Sequence, residues 1–437
     1  MNTATVRHQH LSIIPRIAAA ALLVALAGCG KGGASSDANT IKVAYWGGPE
    51  EIAIIQDLIA DWQASHPDVR VRLEHTPFSA YVSRLLTRMA GNVAPDIMAV
   101  EVNMFPTLWA KGAFQSLQPF IDRDSAFDIE EFFPEVLDRF SIDDEVYAIP
   151  RDTAPFACVY YNKKLFDEAK LPYPTDDWDW DDLLRLSKAL TKTGEDGRVS
   201  QYGFYAWAWQ NFVYSNGGKL VDDLYHPTKC LLGQSKAVEG LQFYADLMNK
   251  HQVAPTPIAL GNLAMGAQQL FMTQRVAMFS SGYWEVPILR QIKEFEWDVV
   301  MFPKGEGGKQ AFGTGGTGYA MLKSSKHPEL AWGVLKALAG REGQTRLAQT
   351  GLAQPANRLV AEGPAFALAP EPPANKAMLN EAVQYVVYEP FIPEWREIFE
   401  LHILPELDLV FNGKRSAKEA AAAFVPKVDA FLNEPHG

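Results

Sequence analysis

The chain has 437 residues, 48% of them hydrophobic and 21% charged, a globular composition with material for about two well-cored domains. Its formal charge of −12 makes it a poor partner for nucleic acid or an anionic lipid surface. Three cysteines without a CxxC or a His/Cys ligand spacing argue against a structural zinc, and no metal is assigned.

In chain order, the first predicted feature is an export signal: Arg7 and Arg16 precede an apolar run, Ile17 to Ala27, too short to span a bilayer as a mature helix. Leu26-Ala27-Gly28-Cys29 resembles the lipobox of bacterial lipoproteins, which implies that Cys29 is lipidated and becomes the first residue; an ordinary cleaved signal with a chance cysteine is the alternative. Removing residues 1–28 takes away two arginines and no acid, so −12 becomes −14. Residues 29–40, rich in Gly, Ser and Ala, read as a flexible tether. The mature chain is then expected outside the cytoplasm, anchored to the membrane by lipid.

The folded part opens on a strand, Ile41 to Trp46, ended by Gly47-Gly48-Pro49. A helix follows with Ile52, Ile55, Leu58, Ile59 and Trp62 on one face. Val69 to Leu73 is a second strand, Tyr81 to Met89 a helix and Asp96 to Val100 a third strand. That alternation predicts a mostly parallel, right-handed α/β sheet. Ala148-Ile149-Pro150 enters another apolar strand that runs to Asn162 and carries Cys158. Burial there favours Cys158 and Cys230 as two free thiols over a disulfide, which an oxidising compartment would permit. Helices are expected at Trp180–Leu190, around Val238 to Met248 and at Ala331–Leu338, and strands at Val299–Pro303 and Tyr319–Leu322. The C-terminal helices are broken by Pro393 and Pro405, and no repeat points to a solenoid.

The order of short motifs resembles the extracellular solute-binding proteins, family 1, of bacterial ABC importers, a group that includes maltose-, trehalose- and other oligosaccharide-binding proteins. The matching residues run through most of the mature chain: Tyr45-Trp46-Gly47-Gly48, Ala94-Pro95-Asp96-Ile97-Met98, Gly112 to Leu117, Tyr147 to Pro150, Tyr160 to Phe166, Tyr202-Gly203-Phe204, Asn216-Gly217-Gly218, Val276-Ala277-Met278 and Gly282-Tyr283-Trp284. The resemblance implies an α/β, two-lobe periplasmic-binding-protein type II fold with discontinuous lobes and a hinge of crossing strands. Lobe 1 would hold residues 41–150 and 303–352, lobe 2 residues 151–302 and 353–437, with crossings near Ile149–Asp152, Val300–Pro303 and Gly351–Arg358. It further implies a monomer without cofactor that takes a small sugar in the interlobe cleft and delivers it to the transmembrane subunits of an ABC permease.

Candidate ligand residues follow. In Tyr205 to Phe212, Trp207 and Trp209 alternate and would point the same way if extended, offering flat rings to a pyranose, with Gln210 and Asn211 as hydroxyl partners. The competing reading is core packing. Tyr283-Trp284-Glu285 follows an apolar strand, and by resemblance Trp284 lines the cleft; Trp395 is a weaker third ring. Glu101 lies at the carboxyl end of its strand, where open α/β sheets place ligands, and Trp46, Gly48 and Glu50 (or Glu51) sit at the end of the first. Those first-turn acids equally complement a helix dipole. Asp152 at the expected crossing faces ligand or pairs with Arg151. Gly313 to Gly318 contains a literal GxGxxG, but a strand rather than a helix follows, so a dinucleotide is rejected. By resemblance Gly315, Gly316 and Thr317 reach the cleft instead. Arg358 is the candidate phosphate holder if the ligand is a glycerol-phosphate diester.

Asp177-x-Asp179-x-Asp181 imitates a calcium loop, but Asp182 and Lys188 stand where Gly and Glu are needed, so helix capping is expected there. A secreted glycosidase or lyase is the rival from another class, yet no Gly-x-Ser-x-Gly or His-Glu-x-x-His motif accompanies the scattered acids. The neutral di- or oligosaccharide reading stands first, with an α-glucoside such as trehalose or maltose as the first choice.

Overall fold

A computed structural model describes residues 39–305 and 307–434. The signal, the tether up to residue 38 and Cys29 lie outside the described residues. Thr40, placed in the tether by sequence, already belongs to the first strand and is buried.

Thr40–Tyr45 (β1), the helix Pro49–Ala64 (α1), Arg70–His75 (β2), the helix Phe78–Ala90 (α2) and Ile97–Glu101 (β3) form the expected alternating start. Pro49 sits in the first turn of α1 with Glu50 and Glu51, where a missing N–H costs nothing and acids meet the positive end of the dipole. Ile55, Leu58 and Ile59 form its buried stripe. The chain then makes Ala148–Pro150 (β4), crosses, and builds Cys158–Asn162 (β5), Trp180–Leu190 (α3), Lys192–Thr193 (β6), Val199–Ala206 (β7), Gln210–Ser215 (α4), Val276–Ser281 (β8) and Trp297–Met301 (β9) before returning as Thr317–Met321 (β10). As expected, Asp179 caps α3, its Oδ1 accepting from the Asp182 N–H at 2.9 Å.

Two separate five-stranded sheets result, ordered β2-β1-β3-β10-β4 and β9-β5-β8-β7-β6. In the first, four of the five strands run the same way, as the alternation predicts, and β10 alone is reversed; the second is mixed. β1 runs parallel to β2 and β3, but β10 is antiparallel to both β3 and β4. In the second sheet only β8 with β7 is parallel. The reason is topological: β10 arrives from the other half and enters its sheet in the opposite sense to the local strand-helix-strand units.

The first sheet is covered on both faces. Ile97 and Ala99 join one core cluster, while Met98 and Val100 join the other, which explains the unbroken apolar run of β3. The second sheet has its own, larger core. Ala148–Pro150 and Cys158–Asn162, read as one strand, belong to different sheets, with the polar Arg151-Asp152-Thr153 between them.

Three segments connect the halves and pair with one another through isolated bridges, Asp152 with Pro355 and Pro155 with Thr314. The second connection lies later than Val300–Pro303, because Phe302, Ala311 and Phe312 still pack in the second core. It falls at Gly313–Gly316, where the Phe156 N–H donates to Gly313 O (2.9 Å) and Gly315 N–H to Ala154 O (3.1 Å). After residue 353 the chain is not confined to the second half either: Ala353 and Ala356 pack in the first core, and Tyr388 and Phe391 lie against its other face.

Cys158 and Cys230 are both free and buried, and burial pushes both thiols up, that of Cys230 to about 12. Iodoacetamide should therefore modify neither in the native protein and both after unfolding in guanidinium, read by intact mass.

Candidate functional site

A cavity of about 820 Å³ opens beyond the carboxyl ends of β1 and β3, between the two halves and over the connecting segments. Trp46, Gly48, Glu50, Phe78 and Glu101 line it from the first half, and Trp207, Gln210, Tyr283 and Trp284 from the second. Asp152, Phe156, Gly315, Gly316 and Thr317 from the connecting segments complete the wall, with Glu389.

Aromatic rings face the cavity from both halves. Trp46 packs edge-on against Phe78 and Tyr81, with centroids 5.5 and 4.9 Å apart. Opposite, Phe156 holds Trp207 at 4.8 Å and Trp284 at 5.9 Å. Trp207 remains 37% exposed and Trp284 36%, so both present open ring surface. Their polar ends are tethered from behind: the Trp207 indole N–H donates to Ser281 Oγ at 3.4 Å, and that of Trp284 to Glu285 Oε1 at 3.1 Å. Ser281 Oγ donates to the same oxygen at 2.7 Å, and Gln268 donates to Glu285 Oε2. Glu285 thus positions Trp284 and is itself buried, and burial raises its pKa. Gly282 makes the fold-back of that ring possible, since a Cβ there would lie 1.9 Å from Trp284 Cζ3.

The polar part is acidic. Arg151 is buried between Glu51 (Nη1 to Oε1, 3.0 Å) and Asp152 (Nη2 to Oδ2, 2.7 Å). Burial works against its charge, but Asp152 and then Glu51 overcome that cost and hold it firmly protonated. Asp152 Oδ1 accepts the Thr317 N–H at 2.8 Å, so this acid ties two connecting segments. Glu101 accepts from the Asn103 N–H and from Asn103 Nδ2, each at 3.0 Å. Burial, then the nearby charge of Glu389, pushes its pKa up to about 8. Burial likewise raises Glu389, against hydrogen bonds from Trp395 and Gln210 that lower it.

Of the residues singled out by sequence, Trp46, Gly48, Glu50, Glu101, Asp152, Trp207, Tyr283, Trp284, Gly315, Gly316 and Thr317 lie in the wall, and five do not. Trp209 does not share the direction of Trp207: β7 stops at Ala206, the Trp209 N–H closes a turn onto Trp207 O (3.0 Å), and its ring is buried on Phe399. Asn211 is buried and structural, donating to Phe156 O and accepting from the Gly313 N–H, both at 2.8 Å. Glu285 stands behind Trp284. Trp395 is buried beneath Glu389 rather than stacked on open space. Arg358 points away, donating to Glu130 O at 3.1 Å on an exposed face, which removes the phosphate holder of the phosphodiester reading.

Gln210, a hydroxyl partner expected from the sequence, lies in the wall, whereas Phe156, Phe78 and Glu389 are wall residues that the sequence does not single out. Phe156 falls within the apolar stretch that the sequence presents as running to Asn162; its neighbours in the Arg151-Asp152-Thr153 break are the signal that a connecting segment begins there. Among the described residues, no group of three or more His, Cys, Asp or Glu side chains is placed to hold a metal ion.

Residues 46–345 match the family model for the bacterial extracellular solute-binding proteins. The chain belongs to that family. Like the family, this solute-binding protein is a binding component rather than an enzyme. It is 25% identical over 297 residues to an arabinooligosaccharide-binding protein of Halalkalibacterium halodurans, a match spanning 64% of this chain and 63%, under two thirds, of the relative. A galactooligosaccharide-binding protein of Bacillus subtilis is 25% identical over 421 residues, 92% of each chain. Among solved structures, an ABC substrate-binding protein of Listeria monocytogenes in complex with cycloalternan superposes with a TM-score of 0.80 at 23% identity, covering 90% of this chain and 98% of that one. That likeness establishes the two-lobe fold for this solute-binding protein.

Two outcomes follow from the wall. Gly282→Ala should cost about 1–3 kcal/mol through overpacking, measured by urea unfolding, because the Trp284 ring has to leave its place. Glu51, Glu101, Glu285 and Glu389 are all raised, chiefly by burial, so the folded protein holds these protons more tightly than the unfolded chain. Their contribution to stability is complete below the ordinary value of 4.5 and is lost as pH rises through the folded values, about 8 for Glu101. The melting temperature of the unliganded protein should fall over that window, and Glu101→Gln should flatten the fall.

Proposed function

We propose that this chain is the sugar-capturing subunit of an ABC importer, binding a neutral di- or oligosaccharide in the cavity without altering it. The observation that carries this reading is the pair of facing aromatic walls, Trp46 and Phe78 against Trp207 and Trp284, around buried carboxyls and amides. Flat rings match the apolar faces of pyranoses, and fixed acceptors match their hydroxyls. The names of the two oligosaccharide-binding relatives support the same class; within it, an α-glucoside such as trehalose or maltose is the first choice.

In this reading residues 41–150 and 303–352 make lobe 1 and residues 151–302 and 353–437 lobe 2, with the second boundary moved toward Gly313–Gly316 by the packing of Phe312. The lobes close about the connecting segments, and ligand favours the closed form by touching both walls. The closed, monomeric complex docks on a permease whose transport energy comes from a separate ATPase. Lipidation at Cys29 would hold the protein at the extracytoplasmic membrane surface.

A thermal-shift screen against neutral sugars, polyols, phosphodiesters and amino acids tests the class. A saccharide present at one hundred times Kd should add about 2.7 kcal/mol of stability, while response confined to phosphodiesters or amino acids would refute the sugar reading. Trp207→Ala and Trp284→Ala should each weaken sugar binding by roughly tenfold or more, in line with about 0.5–1.5 kcal/mol per stacking contact plus lost apolar area. Trp209→Ala should instead cost about 3–5 kcal/mol of stability. Titration calorimetry and urea unfolding separate the two effects.

A further inference from the structure

Five carboxyls line the cavity: Glu50, Glu51, Glu101, Asp152 and Glu389. Against them stand His75, whose Nε2 contacts Gly47 O at 3.0 Å, and Arg151. Arg151 is spent on Glu51 and Asp152. No lysine lines the wall among the described residues, and there neither Glu101 nor Glu389 forms a salt bridge. Both are met by neutral donors, Asn103 for Glu101 and Gln210 (3.3 Å) with Trp395 for Glu389. Two buried carboxyls in one cavity without a counter-ion leave a place where a cationic guest, unlike a neutral one, would gain an ionic partner. Burial first, and for Glu101 the charge of Glu389 second, holds both toward their neutral form, and a cation placed beside them would favour the ionised form.

The walls on either side are suited to a cation as well. Phe156, Trp207 and Trp284 meet at interplanar angles of 63°, 88° and 41°, an angular cluster rather than a flat stack. The ring surface that Trp207 and Trp284 leave open to the cavity can meet a cation, and indole is the best of the aromatic partners. Carboxylates and tilted rings together are what an ammonium group attached to a sugar ring requires.

Taking the cavity as a carbohydrate site, we infer that its preferred sugar carries a protonated amine, seated between Glu101 and Glu389 and beside the Trp207–Trp284 wall. The amine supplies the missing counter-charge, and the ring stacks as a neutral pyranose would. The inference rests on the carbohydrate reading and narrows it to amino sugars.

Titration calorimetry of the purified protein at about pH 6, where the amine is charged, tests this with matched probes: glucose and glucosamine, galactose and galactosamine, mannose and mannosamine, cellobiose and fully deacetylated chitobiose. In at least one pair the amine should bind about tenfold tighter or more, a difference of about 1.4 kcal/mol. Glu101→Gln and Glu389→Gln should each bring that ratio to near one. Should either variant fail to fold, the wild-type ratio at about pH 9.5, where the amine is neutral, should collapse in the same way. Neutral sugars bound as well as or better than their amines overturn the inference and leave the carbohydrate reading intact. A preference that survives both substitutions or the loss of the ligand's charge overturns it too. Silence toward every pair and toward longer neutral oligosaccharides removes both.

Discussion

The buried guanidinium of Arg151 is the interaction on which the rest of the structure depends. It sits where the chain first leaves one sheet for the other, and it grips Glu51 at the start of α1 and Asp152 beside it. Asp152 in turn accepts from Thr317 on the returning strand. Thr153 and Gln354 pair side chain to side chain, and the Ala356 N–H donates to Arg151 O at 3.3 Å, so the third connection is held by the same three residues. Removing one member of such a buried pair costs about 3–5 kcal/mol, because the partner is stranded without water. The consequence here is more local than global: the ion triad fixes how Gly315, Gly316 and Thr317 meet the end of β3, and that junction is the floor of the cavity.

From that floor, each wall inherits its geometry from backbone rules rather than from its own chemistry. Trp46 and Glu101 stand where parallel strands end and helices begin. Trp207 marks the place where β7 runs out of sheet partners. Trp284 is folded back over Gly282 and pinned by Glu285, an acid that never touches the cavity. A binding surface assembled from residues 46, 101, 207 and 284 is therefore one object, made rigid by side chains behind it, rather than four separate adaptations.

Much of this was readable from residue order. α3 matches its predicted span, Trp180 to Leu190, at both ends because an Asp cap and a clean apolar stripe mark them. The run of β3 was legible too, since a sheet covered on both faces tolerates no polar interruption. Sheet membership was not. Ala148–Pro150 and Cys158–Asn162 look continuous because both are apolar, and only pairing partners remote in sequence, Tyr319 for one and Phe279 for the other, separate them. Trp209 shows the same limit at smaller scale: alternation holds only while the strand lasts. Glu389 had no local signature at all, lying between a short strand and Pro390 with nothing around it to suggest a cavity.

Two half-open indoles on a ligand wall also give the molecule an optical property. Of 11 tryptophans in the chain, Trp207 and Trp284 combine open ring surface with a place in the cavity, and their environment changes most when a guest displaces solvent from the ring faces. Emission from this protein should then shift to the blue on occupancy, so the unlabelled molecule can serve as its own sensor for whichever solute it carries.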